Sequence, residues 1–130
     1  MKTVNLHDIM DTVLALSSRL ADMKEVTLER LPSTAEIIIT TKPFLLENLI
    51  WDCLDFAMVM TGSGKQVVVE VKRKADKACI SLSGLQDLKA NRETVFPGDQ
   101  EKPLLYILQG EINVDAEHGK VEIALPDNVV

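Results

Sequence analysis

Few side chains in this sequence have the type and spacing to do chemistry. His7 lies in the first turn of an expected helix, where it could accept a phosphoryl group. It has no neighbouring base and reads as an exposed first-turn histidine, while His118 reads as a turn residue. Neither sits in an arrangement that would activate a nucleophile. Cys53 and Cys79 fall inside apolar runs without metal-ligand spacing and read as buried, reduced thiols. Asp52 and Asp55 are acids in the middle of the long apolar stretch KPFLLENLIWDCLDFAMVMTG, residues 42–62. Lys72, Arg73, Lys74 and Lys77 form a basic cluster that reads as a solvated hairpin tip.

The composition bounds what these groups can serve. The chain has 130 residues, enough for one domain with its own core. With 46% hydrophobic and 26% charged residues it is expected to be globular rather than disordered. A formal net charge of −6 opposes general nucleic-acid binding, which needs Lys and Arg to neutralise phosphates. His7, Asp8 and Asp11 interrupt any signal-peptide core, and no run approaches the ~20 apolar residues of a membrane span. The expectation is a cytoplasmic protein with no membrane partner.

The elements that must position these groups follow from periodicity. Asn5 is the expected N-cap of an amphipathic helix to Met23, with Leu6, Ile9, Met10, Val13, Leu14 and Leu20 on one face. Residues 26–30 and 36–40 read as two strands joined by the turn at Pro32-Ser33. The central helix starts at Thr41 or Lys42, with Pro43 in its first turn, and ends at Gly62 and Gly64. Its stripe of Leu46, Leu49, Ile50, Cys53, Leu54, Ala57 and Met58, widened by Trp51 and Phe56, predicts a largely enclosed helix.

Residues 65–74 and 77–83 predict a hairpin turning at Ala75-Asp76, with one covered face. Leu85, Leu88, Val95 and Phe96 predict a short helix and an anchor; residues 97–103 read as a loop and 104–109 as a short helix or turn. A last hairpin, 111–116 with 120–125, turns near Glu117-His118-Gly119. The order predicts an α+β two-layer sandwich, with helices covering one face of a mixed, mostly antiparallel sheet.

This order resembles the catalytic ATP-binding domain of sensor histidine kinases, the Bergerat-type fold of the GHKL superfamily. The resemblance covers essentially the whole chain. Val4-Asn5-Leu6 looks like the entry to that domain, and KPFLL, residues 42–46, like its Asp-Pro-x-x-Leu helix start. The stretch from Leu45, LLENLIWDCLDFAMVMTGSGKQVVVEV, looks like the Asn-box helix, its Thr-x-x-Gly exit and the next strand. Val95-Phe96 looks like the Ile-Phe after the first glycine box, and GEINV (110–114) with GKVEIALP (119–126) like the closing hairpin.

The resemblance implies a helix asparagine that holds magnesium, an Asp-x-Gly-x-Gly turn whose aspartate takes the adenine amino group, and later glycines under a lid. Those groups give ATP a polar base anchor, an oxygen for the metal and backbone free of Cβ atoms near the phosphates. At these places this sequence departs from the family. The two asparagine positions are Asp52 and Phe56; a one-turn shift of frame would instead pair Asn48 with Asp52 as metal ligands. The aspartate position is Gly84, the two glycine positions are Gln86 and Leu88, and Asp87 is out of register. The second glycine box is absent, the lid is reduced to residues 97–103, and Pro103-Leu104-Leu105 follows. The helix that carries the phosphorylated histidine is missing as well.

The expectation is therefore a non-catalytic, pseudokinase-like domain serving two-component signalling as a regulatory or interaction module, with no cofactor and no metal. Its partner would be a response regulator, a kinase or a second copy, the last through the helix from Asn5 to Met23. One alternative is a divergent ATP- and Mg-dependent protein kinase of the sensor or anti-sigma-factor type. Another is a small-ligand binder whose cavity Phe56, Leu85, Leu88 and Leu104 have made apolar.

Overall fold

A computed structural model describes residues 1–33, 35–62, 64–91 and 93–129. Its elements run β1 (Lys2–Asn5), α1 (Leu6–Met23), β2 (Thr27–Arg30), β3 (Ile38–Thr41), α2 (Pro43–Thr61), β4 (Gln66–Lys74), β5 (Lys77–Ser83), a 3-10 turn (Lys89–Asn91), α3 (Glu101–Leu108), β6 (Glu111–Asp115) and β7 (Lys120–Leu125). A five-stranded sheet has the order β2-β4-β5-β7-β6, parallel between β2 and β4 and antiparallel elsewhere. The α+β sandwich with a mostly antiparallel sheet is thus the one the periodicity predicts.

Period-2 patterning sets the register. Val71, Ile80, Ile123 and Ile112 are successive partners across four strands, and Val69, Leu82 and Val121 form the next row in the same sense. These rows and the inward faces of α1 and α2 make one buried cluster. Each fully buried Leu or Ile in it contributes about 1.5–3 kcal/mol relative to exposure.

Residues 26–30 and 36–40 do not form the expected turn-linked pair. β2 joins β4 in parallel, so α2 lies in the crossover that a parallel connection needs. β3 instead pairs with β1, a strand absent from the periodicity reading, as a separate two-stranded sheet. The chain's end closes on that sheet, where Thr40 exchanges backbone hydrogen bonds with Asp127 and Val129. Four-residue strands carry too little alternation to reveal their partners.

The helix boundaries follow their caps. The Asn5 side chain accepts the His7 N–H at 3.0 Å, and Pro43 opens α2 where no amide donor is required. The predicted stripe of α2 is buried throughout, but its enclosure is incomplete: Phe44, Trp51 and Val59 are exposed along the outer row. The hairpin of β4 and β5 also differs from expectation, because Cys79 and Ser81 are buried on the face away from the helices. Long side chains cross that face, including Lys74, which pairs with Glu122 at 3.3 Å. α3 begins at Glu101, within the expected loop; Pro103 is tolerated because it stands in the first turn.

Candidate functional site

Asp52 and Phe56, one turn apart on α2, both meet the segment that leads into α3. The Phe56 ring stacks on Phe96, with centroids 4.2 Å apart and planes 6° from parallel. Glu101, the first residue of α3, is close enough to act on the Asp52 carboxyl. Glu101 is itself buried, and its Oε1 accepts the Gly98 N–H at 3.0 Å. The Glu101 N–H returns to the Gly98 carbonyl at 3.1 Å, closing a turn just ahead of α3. The segment that leads into α3 is therefore fastened to α2 by the aromatic contact.

Burial, the neighbouring Glu101 carboxyl and the charge of Asp55 push the Asp52 carboxyl up to about 6. Burial likewise raises the Cys53 thiol on the next residue.

The other expected positions are spread around this contact. Asn48 is exposed and Asp52 half-buried. Gly84 is left-handed at φ +88°, and an ideal Cβ there would lie 2.5 Å from the Gln66 carbonyl oxygen. No side chain fits that backbone, least of all a carboxylate facing an oxygen. The Thr61 hydroxyl, at the end of α2, donates to the carbonyls of Gly84 and Gln66 and ties the turn down. Gln86 is exposed and takes a 2.5 Å hydrogen bond from Lys65 Nζ. Leu88 and Leu85 are buried in the main core. Asp87 stays out of register: its N–H donates to the Met60 carbonyl at 2.7 Å, and its carboxylate lies beside Gly62. Val95, expected as part of the anchor, is exposed, leaving Phe96 to anchor alone.

The two histidines are also held. His7 is half-buried rather than exposed: Nδ1 faces the Arg30 guanidinium, which also pairs with Asp11, and Nε2 lies 2.9 Å from the Ala35 carbonyl. An always-protonated guanidinium makes Nδ1 the acceptor, so Nε2 carries the hydrogen. His118 is in its expected turn, its Nδ1 and backbone N–H both on Asp115, and these hydrogen bonds keep the Asp115 carboxyl below its usual range.

Among the described residues, no group of three or more His, Cys, Asp or Glu could hold a metal ion, and no helix is long and apolar enough to cross a membrane. An open hollow of about 840 Å³ is lined by Met1, Lys42, Leu105, Tyr106, Gly110 and Val129. Lys42 precedes α2, ten residues from Asp52, roughly 15 Å along a helix. The sequence reading missed Glu101 and Thr61. Neither gave a signal beyond its place, Glu101 at a helix entry and Thr61 at a helix exit.

No family model and no curated protein matches the sequence. Solved structures do match in fold. The catalytic domain of the histidine kinase ThkA superposes with a TM-score of 0.73 at 13% identity, covering 99% of this chain and 98% of that one. The ATP-binding domain of PrrB from Mycobacterium tuberculosis gives 0.70 at 14%, covering 97% and 96%. ThkA in complex with the response regulator TrrA gives 0.72 at 14%, covering 97% of this chain and 41% of ThkA. Identities this low establish architecture alone: this chain has the fold of the histidine-kinase catalytic domain.

Proposed function

We propose that this chain is a non-catalytic histidine-kinase-like domain that acts in the cytoplasm as a regulatory or protein-interaction module in signal transduction, without binding ATP or magnesium. The observation that carries this reading is the internal use of Phe56, whose ring stacks on Phe96. Asp52, Phe56, Gly84, Gln86 and Leu88 are then vestigial nucleotide-site positions. Phe56 has no oxygen for a metal, position 84 has no room for a carboxylate, and Leu88 belongs to the core.

An interaction role also fits the outer row of α2, where Phe44, Trp51 and Val59 are exposed beside Glu47 and Asp55. A protein partner is proposed by analogy with ThkA, whose structure includes a response regulator. The candidates are a response-regulator receiver domain, a histidine kinase core or a second copy of this chain. The test is calorimetric titration with receiver domains and kinase cores from the same genome, with sedimentation of the chain alone. The reading predicts nucleotide-independent binding to one of them; failure to bind all three would remove it.

A further inference from the structure

α1 and α2 lie side by side and run the same way. Each leads by a short connection into one strand of the parallel pair β2 and β4. The Gly64 N–H donates to the Glu25 carbonyl at 2.7 Å, which holds the C-terminal ends of the two helices together. Each helix leaves a stripe open to solvent. On α1 it is Leu16, Arg19 and Met23, at i, i+3 and i+7; on α2 it is Trp51, Asp55 and Val59, at i, i+4 and i+8. Leu16, Met23, Trp51 and Val59 are large apolar side chains exposed on adjacent helices rather than scattered singly. The charges of the two helices differ in sign at these stripes. α2 carries Glu47, Asp52 and Asp55 and no Lys or Arg, whereas the stripe on α1 carries Arg19 and no acid. Neither Arg19 nor Asp55 has an ion-pair partner among the described residues.

We infer that this face of the helical layer is a homodimer interface, in which α1 of each copy lies on α2 of the other. The inference rests on the protein-interaction reading above and names the partner as a second copy. A two-fold axis parallel to the helices, passing between α1 and α2, produces this arrangement and keeps residue levels equal in the two copies. Counting back from the Glu25–Gly64 hydrogen bond, Arg19 stands level with about residue 58, less than one turn from Asp55. Arg19 of each copy therefore comes against Asp55 of the other, twice in the dimer, and Leu16 and Met23 come against Trp51 and Val59. The other pairings are poorer. Laying α2 on α2 sets acid against acid, and laying α1 on α1 leaves Arg19 without an acid on the facing stripe. Two helices about 27 Å long and about 10 Å across present a face on the order of 500 Å² in projection, near the small end of specific interfaces, so the dimer should form at micromolar rather than nanomolar concentration.

The test is sedimentation equilibrium of the full chain from about 1 to about 500 μM, with circular dichroism to show that each variant is folded. The wild type should pass from monomer to dimer within that range. Arg19→Glu and Asp55→Arg each bring like charges together at both symmetric contacts, and each should weaken association about tenfold. The double variant exchanges the two charges and should return to within about threefold of the wild type. A wild type that stays monomeric throughout overturns the inference; titrations with receiver domains and kinase cores decide the broader interaction reading separately. A dimer indifferent to both single reversals, or one that the double variant does not rescue, overturns the placement of α1 on α2.

Discussion

The rings of Phe56 and Phe96 lie face to face, 4.2 Å between centroids, joining α2 to the segment that leads into α3. An offset or stacked aromatic pair contributes about 0.5–1.5 kcal/mol beyond the area it buries. Both rings are half-buried, so truncation costs less than in a closed core. Phe96→Ala is expected to destabilise the chain by about 1–3 kcal/mol. Urea unfolding reads this directly; an unchanged midpoint would mean that the stack does not hold the segment.

Acid should stabilise the folded chain through Asp52. Its folded value of about 6 lies above the ordinary 3.8, so the fold favours the neutral carboxyl. That contribution is fully present below about pH 4 and is lost as pH rises through about 6. Since Asp52 is only half-buried, solvent screening reduces the effect to about 1 kcal/mol. Urea midpoints measured across this window should decline for the wild type, and the part of the decline due to Asp52 should vanish in Asp52→Asn.

An aspartate at position 84 should not create a nucleotide site. Gly84→Asp forces a side chain into a left-handed backbone and onto the Gln66 carbonyl. The expected cost is at least about 2 kcal/mol, read as a lowered melting temperature, with no gain of nucleotide binding. A stable Gly84→Asp protein that binds ATP would show that this turn can adopt the family conformation.

Ser17 is buried on α1, and its hydroxyl has no hydrogen-bond partner among the described residues. An unmade hydrogen bond costs the full desolvation of the group. Ser17→Ala should therefore leave the chain as stable or raise its stability by up to about 1 kcal/mol in thermal unfolding. A loss of more than about 1 kcal/mol would indicate a partner, such as a buried water.

Much of this architecture is legible in the residues. The stripe of α2, the Ala75-Asp76 turn and the closing hairpin rest on local periodicity, which survives folding. Strand partnership does not: β2 and β3 are too short to specify neighbours, and β1 lacks any alternation that marks it. At the site, Asp52 and Phe56 could be picked out, but their use could not. Phe96 lies 40 positions from Phe56, a separation that local periodicity does not report. Likewise, nothing local to Gly84 reports that the Gln66 carbonyl lies against it.

The central claim is that the face of α2 bearing Phe56 is occupied from within the chain, by Phe96. Isothermal titration calorimetry with ATP and magnesium tests it most directly. The account predicts no binding heat at any accessible concentration, for the wild type and for Phe56→Asn alike. Saturable binding of ATP with micromolar affinity to the wild type would contradict it.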